Sequence, residues 1–175
     1  MPELIIQLTK RKDGRVLLRC FRADGSATWQ RQDDDRAAFF PVHDLTHYAV
    51  ESELDFTRGF YGLIADGWEI ADTTGKGARG PLPEETIAVE YIVGSLGAER
   101  GAGSPRAADE FNDHASVYSQ RRGLPPPRKF TDAELNKVRT HVDKLAARWR
   151  ALPAGETLEL PFDRPRVTQS GRSSS

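Results

Sequence analysis

Two histidines and an acid stand close together in the sequence HDLTH, which begins at His43 and ends at His47. On an α-helix, side chains four residues apart project from the same face, so that both imidazoles can bind one metal ion without moving the backbone. Glu51 extends the same stripe by one more turn. The pattern predicts a metal site that uses His43, His47 and Glu51, with Asp44 as an orienting or general-base carboxylate.

A third ligand is expected from a neighbouring element, because a catalytic zinc site takes three protein ligands and keeps one position open. Glu90 is the first choice because it interrupts the apolar sequence IAVEYIV, where a lone carboxylate is costly unless it is paired, protonated or bound to a metal. The alternatives lie on other predicted helices or on the same stripe: Glu51, Asp66, Glu69, Glu110 and His114. The expected cofactor is zinc or iron.

The first part of the chain predicts a small antiparallel sheet. The apolar strands LIIQLTK and VLLRCFR flank a turn at Asp13-Gly14, and SATWQRQ follows a second turn at Asp24-Gly25. Asp-Gly pairs favour tight hairpins because they tolerate positive φ angles. Near the end of the chain, ETLELPF alternates apolar and polar residues and is expected to return to this sheet.

Five helices are expected to carry the candidate site. The first runs from about residue 40 to 54 with Pro41 at its first position, and the second from about 60 to 71. The third, EETIAVEYIVGSL, is apolar all round and is expected to be buried on most sides. The fourth spans about 105–120, and the fifth begins with a capping box formed by Thr131 and Glu134.

These elements predict an α+β fold in which the sheet packs on about five helices. We expect residues 1–163 to form a single domain and residues 164–175 to be a disordered polar tail.

Composition limits the classes of function. The 175 residues carry a net charge of −1, which gives no general attraction to nucleic acid. No apolar run approaches the roughly 20 residues that span a bilayer. The N-terminus places its apolar run before its basic residues, the reverse of a signal peptide, and the single cysteine, Cys20, excludes an internal disulfide. We therefore expect a cytoplasmic protein with a small-molecule or peptide substrate, and neither a nucleic-acid partner nor a membrane span.

The glycine-rich sequence GKGARG, residues 75–80, is expected to form a flexible loop over the site. It lacks the order of a phosphate-binding P-loop. Its two cations, Lys76 and Arg79, are predicted to attract an anionic substrate.

The HDLTH motif resembles the H-D-x-x-H zinc motif of the Coq4 family of ubiquinone biosynthesis, with His43, Asp44 and His47 at the matching positions. This resemblance implies a helical zinc site beside a lipid-like ligand. The motif is also similar to the zinc-binding helix of zincin metalloproteases, in which a glutamate base stands at the position of Asp44. The chain as a whole looks like a small bacterial-type protein with an HDxxH motif.

The sequence therefore favours a metal-binding protein, specifically a zinc- or iron-dependent hydrolase-like enzyme. A bound ion would lower the pKa of water and polarise a substrate oxygen. The alternative hypothesis is a non-enzymatic interaction module in which the histidine face is structural and forms a groove for a partner.

Overall fold

A computed structural model of the chain describes residues 1–33, 36–75, 77 and 79–164. Its sheet contains four antiparallel strands in the order β3-β2-β1-β4. The strands are β1 (Leu4–Lys10), β2 (Val16–Arg22), β3 (Ala27–Gln32) and β4 (Thr157–Phe162). The strand near the end of the chain pairs with β1, so the predicted returning strand is confirmed.

Five α-helices lie within the described residues, and the predicted α+β fold is confirmed. They are α1 (Arg36–Glu53), α2 (Phe60–Ala65), α3 (Glu84–Ala102), α4 (Ala108–Arg121) and α5 (Asp132–Ala151), with a 3-10 helix at Ile70–Thr74. At the start of α5, Thr131 accepts a hydrogen bond from the backbone of Glu134 while the Glu134 carboxylate accepts one from the backbone of Thr131, which confirms the predicted capping box.

The core lies between one face of the sheet and the helices. Alternate residues of β1 and β4 are apolar and buried, as Leu4, Ile6 and Leu8 illustrate in β1. Helix α1 packs against both α3 and α5 and is the central helix. Described residues from the sheet and all five helices belong to one hydrophobic cluster.

Helix α3 differs from its predicted environment. It buries one stripe, which includes Val89, Ile92 and Leu96, whereas Ile87 and Tyr91 are only partly buried. The prediction of burial on most sides was wrong because α1, which is amphipathic, occupies the central position. Glu90 consequently lies at the border of the buried stripe, with 37% of its side chain exposed.

Two helix boundaries also differ from the predictions. Helix α1 begins at Arg36, so Pro41 lies inside it, where proline removes one backbone hydrogen bond. Helix α2 ends at Ala65 because Gly67 adopts a φ of +87°, and the chain continues into the 3-10 helix.

None of the helices in the described part of the chain is both long enough and apolar enough to cross a membrane. The predicted disordered tail falls almost entirely on residues 165–175, which lie outside the described residues.

Candidate metal centre

Helices α1 and α3 bring His43, His47 and Glu90 together. One ligand atom from each of these side chains can be chosen so that all three atoms lie within 4.8 Å of one another. The Nε2 atom of His47 lies 3.4 Å from Oε1 of Glu90. The imidazole rings of His43 and His47 meet edge to face with their centroids 4.8 Å apart. The three first-choice ligands of the sequence therefore form one possible metal-binding cluster.

One of the distances in this cluster already fits a small divalent ion. Zinc holds nitrogen and oxygen ligands at about 2.0–2.1 Å, so two ligands of a tetrahedral ion lie roughly 3.3–3.4 Å apart. The contact between His47 and Glu90 already has this length. Side-chain rotation of His43, which is partly exposed, can bring its ring closer to the other two ligands.

Burial differs across the cluster. The His47 side chain is 2% exposed, whereas Glu90 keeps 37% of its side chain exposed. One side of the cluster is thus walled by the packed helices and the other faces solvent. An ion held there would keep a coordination position accessible to water or to a substrate.

Glu51 approaches the other nitrogen of the His47 ring. Its Oε1 lies 3.6 Å from Nδ1 of His47, just beyond hydrogen-bonding distance, and Glu51 is fully buried. Its carboxylate accepts hydrogen bonds from the backbone N–H groups of Tyr61, at 3.2 Å, and Gly62, at 2.9 Å. A carboxylate behind a ligating histidine fixes the ring orientation and increases its basicity. Glu90, and not Glu51, therefore joins the two histidines in the possible metal-binding cluster, and Glu51 lies behind the ring of His47.

Gly59 allows Glu51 to reach the start of α2, and Gly62 allows the close approach of the Thr57 backbone. A Cβ atom at Gly59 would overlap the Cδ atom of Glu51, and a Cβ atom at Gly62 would overlap the carbonyl oxygen of Thr57. The sequence GFYG, residues 59–62, is thus matched to the buried carboxylate of Glu51.

The two histidines titrate in opposite directions. Burial, reinforced by the neighbouring His47, lowers the pKa of His43 to about 4 against the opposing charge of Glu90. Burial acts in the same direction on His47, but the nearby carboxylates of Glu51 and Glu90 outweigh it and raise the pKa of His47 to about 9. At neutral pH and without an ion, His43 is a neutral ligand, whereas His47 must release a proton before it can bind a metal.

Glu90 is ionised in this environment. Burial alone would raise its pKa, but the hydrogen bond from His47 and the charges of both histidines lower it below the ordinary value for glutamate. An ionised carboxylate is the form that binds metal ions.

Asp44 points toward the sheet. Its Oδ2 accepts a 2.6 Å hydrogen bond from Nε2 of Gln32 at the end of β3, and the residue is 5% exposed. Burial raises the pKa of Asp44 to about 7, although the bond from Gln32 acts to lower it. The phenolic hydroxyl of Tyr61 donates to the backbone carbonyl of Asp44 at 3.2 Å. These contacts fix the turn of α1 that carries both histidines, and the general-base role of Asp44 stays a prediction.

The other acidic alternatives contact cations outside the cluster. Asp66 pairs with Arg164 and Arg58, and Glu69 pairs with Arg22. On α4, Glu110 pairs with Arg106, and His114 is exposed.

The predicted anion-binding loop is described only in part. Arg79 donates to the carbonyl oxygen of Gly67 at 2.8 Å and lies 5.7 Å from the ring centroid of Trp68. Lys76 lies outside the described residues. Substrate binding by Lys76 and Arg79 stays a prediction.

A groove opens beside His43, between α1, α3 and α5. Its volume is about 750 Å³, and its walls are mainly apolar. At the end formed by the last turns of α3 it contains buried Glu99, held by Arg139 of α5. This part of the groove was not predicted, because the predicted third helix ended at Leu96 whereas α3 continues to Ala102. Glu99 follows Ile92 and Leu96 at helical spacing, a signal that predicts burial.

No known protein family, curated protein or solved structure matches this chain in the comparisons made. The candidate metal site is therefore supported by the geometry of its residues alone. The resemblance of the motif to the Coq4 family and to zincin helices stays a prediction.

Proposed function

We propose that the protein is a zinc- or iron-dependent hydrolase-like enzyme with His43, His47 and Glu90 as its metal ligands. The observation that supports this proposal is the convergence of two imidazoles and one carboxylate, with ligand atoms within 4.8 Å of one another, on an open side of the molecule. This donor set of two nitrogens and one oxygen is common in catalytic zinc and non-haem iron sites.

The bound ion would supply Lewis acidity, which lowers the pKa of a water molecule and polarises a substrate oxygen. His43 offers a neutral ring, and Glu90 offers an ionised carboxylate that offsets part of the positive charge. Glu51 lies 3.6 Å from Nδ1 of His47, where a small shift of the ring on metal binding would bring the two into a hydrogen bond. In the hydrolysis, the oxygen of water adds to the acyl carbon, the bond to the leaving group breaks, and a proton from the water passes to the leaving group.

The experiment that tests this proposal combines metal content with hydrolysis. The tag-free protein is loaded with zinc or iron, and bound metal is measured by mass spectrometry beside the release of 4-nitrophenol from 4-nitrophenyl esters. We expect close to one ion per chain and a hydrolysis rate above that of the same metal in buffer. Both should be lost in His43→Ala.

His114→Ala is the matched control because it removes an exposed imidazole from α4. It should keep the metal and the activity of the wild-type protein. Absence of bound zinc or iron in the wild-type protein would overturn the metal site. A bound ion with no acceleration of ester hydrolysis would leave a metal-binding protein and overturn its proposed activity as an esterase.

The second candidate is the interaction module, favoured by one observation. His47 already lies between two carboxylates, Glu51 on one nitrogen and Glu90 on the other, so that a protonated ring joins α1, α2 and α3 without an ion. In that case His47→Ala would lower the free energy of unfolding and weaken partner binding, while metal content would be negligible in the wild-type protein and the variant alike. The metal measurement separates the two candidates.

A further inference from the structure

The outer face of the sheet, formed by the strand residues that point away from the helices, exposes two aromatic side chains. Trp29 of β3 is 65% exposed and Phe21 of β2 is 37% exposed. Strand pairing places Trp29 opposite Arg19 and Phe21 opposite Ile5, and residues paired in this way lie on the same face. Neither ring contacts another aromatic ring or a cation among the described residues. Aromatic residues in this setting are typical of protein interfaces.

One row of the outer face carries opposite charges on the two sides of β1. In the register of the sheet, Arg19 of β2 and Glu159 of β4 both lie opposite Gln7 of β1. Within the described part of the chain, exposed Arg19 has no hydrogen bond or ion pair, and Glu159 accepts only from Nε2 of Gln7, at 2.9 Å. Because neighbouring strands lie about 4.8 Å apart, the backbones of Arg19 and Glu159 are separated by roughly 10 Å. Each charge can therefore still take an opposite charge from outside the chain.

A second copy of the chain supplies both opposite charges when two outer faces pack together. A two-fold axis that lies between the faces and runs along β1 brings β2 of one copy against β4 of the other. Arg19 of each copy then faces Glu159 of the other. In the next row, by the same symmetry, Phe21 faces Pro161.

The charges also select the direction of this axis. A two-fold axis perpendicular to the strands would place Arg19 against Arg19 and Glu159 against Glu159, and such like-charge contacts are unfavourable. The axis along β1 replaces both repulsions with two ion pairs. The outer face is therefore complementary to itself in one orientation.

We propose that the outer face joins two copies of this chain into a dimer, held by reciprocal Arg19–Glu159 pairs and by the apolar contacts of Phe21 and Trp29. The two sheets form a sandwich about 10 Å thick with their strands crossing at about 30°. Trp29 lies two strands from the axis, so its ring covers the edge strand β4 of the other copy. The helices that carry the candidate metal ligands lie on the opposite side of the sheet, so the dimer does not depend on the proposed function.

Single-stranded nucleic acid is the other occupant that stacks on exposed aromatic rings. The charges of this protein disfavour it. Glu159 stands on the same face, and the chain as a whole carries a net charge of −1.

Sedimentation velocity of the full-length chain, at about 1–100 µM, tests the dimer through a cycle of charge reversals. We expect the wild-type protein to dimerise reversibly in this range. Arg19→Glu and Glu159→Arg should each weaken the dimer at least about tenfold, because each places like charges together twice. The double variant Arg19→Glu/Glu159→Arg restores opposite charges in exchanged positions, and its Kd should return to within about threefold of the wild type. A variant that merely misfolds would not be rescued in this way.

The aromatic part of the interface has its own matched control. Trp29→Ala should weaken the dimer at least about tenfold, because a central tryptophan often dominates an interface. Val117→Ala, which removes an exposed apolar side chain from α4, should leave it unchanged. Circular dichroism checks that each variant is folded.

Three results would overturn the proposal. The first is a wild-type chain that stays monomeric at about 100 µM, and the second is a double charge variant that associates no better than the single ones. The third is a monomer that binds a single-stranded oligonucleotide and loses this binding in Trp29→Ala, which would assign the outer face to nucleic acid instead.

Discussion

Two histidine–glutamate contacts join α1 to its neighbours, one on each side. Toward α5, Nδ1 of His141 lies 2.7 Å from Oε1 of Glu53, and Nζ of Lys137 lies 2.7 Å from the other carboxylate oxygen. Toward α3, Nε2 of His47 lies 3.4 Å from Glu90, with His43 beside them. The first pair is partly exposed, whereas the ring of His47 is almost completely buried.

The shorter contact is the less suitable one for a metal. Glu53 is shared with the ammonium group of Lys137, and a neighbouring cation opposes the binding of a second positive charge. The longer contact has a third donor within reach and a buried carboxylate behind its histidine. The comparison shows that convergence of donors and the absence of a competing cation distinguish a candidate metal centre from an ordinary ion pair.

The largest difference in zinc affinity is expected between the variants His47→Ala and His141→Ala. His47→Ala removes a ligand, so zinc affinity should fall by more than about 100-fold, beyond the 10–100-fold that loss of an outer partner costs. His141→Ala should leave zinc affinity within about twofold of the wild type. Competition titration against a chromophoric chelator measures both. Equal losses in the two variants would remove the distinction between the two sides of α1.

Substitution of the glutamates that neighbour these histidines, Glu51 and Glu53, gives a second test of the difference between the two sides of α1. Glu51→Gln keeps an acceptor oxygen for only one of the backbone N–H groups of Tyr61 and Gly62, and it removes the charge beside His47. Zinc affinity should fall about 10–100-fold with one binding site per chain retained. Glu53→Gln, on the other side of α1, should not change it. A Glu51→Gln protein with wild-type affinity would contradict the orienting role of Glu51.

A third contrast uses two glycines. In Gly59→Ala the new methyl group would overlap Glu51, and we expect the free energy of unfolding to fall by about 1–3 kcal/mol. In Gly94→Ala the new methyl group meets no other atom within 4 Å. Because alanine forms helices better than glycine, we expect the free energy of unfolding to rise by about 0.5–1 kcal/mol. Urea denaturation of both variants measures these changes. A Gly59→Ala protein as stable as the wild type would show that Glu51 can move freely.

A change of one pH unit should alter zinc affinity less than the loss of a ligand does. Because the pKa of His47 is about 9 without an ion, zinc must displace one proton from it at pH 6–8, while His43, with a pKa of about 4, is already neutral. Apparent zinc affinity should therefore fall about tenfold for each unit by which the pH is lowered in this range. Calorimetry in buffers of different ionisation enthalpy should count about one proton released. Release of none would contradict a protonated His47 as the ligand.

Local sequence patterns predicted much of the fold because each depends on few residues. The hairpin turns, the capping box of Thr131 and Glu134, and the alternation in β4 all act within short segments. The position of α1 at the centre depends on which helices pack together, which no single segment encodes. Pro41 inside α1 shows the same limit, since tertiary packing outweighs the cost of one backbone hydrogen bond.

The candidate site was predictable where one helix supplies the residues. Helical spacing brought His43 and His47 together, and the apolar surroundings of Glu90 singled it out. The separate position of Glu51 was not predictable, because it depends on Gly59, which precedes α2 and lets the chain approach the Glu51 carboxylate. The hydrogen bond from Gln32 to Asp44 likewise depends on how β3 meets α1.

A crystal structure of the zinc-loaded protein, with anomalous data collected at the zinc edge, tests the central claim most directly. The account predicts one dominant anomalous peak about 2.0–2.1 Å from a ring nitrogen of His43, a ring nitrogen of His47 and a carboxylate oxygen of Glu90. The nitrogen of His47 should be Nε2, with Nδ1 still facing Glu51. A dominant peak at Glu53 and His141, or no peak between α1 and α3, would contradict it.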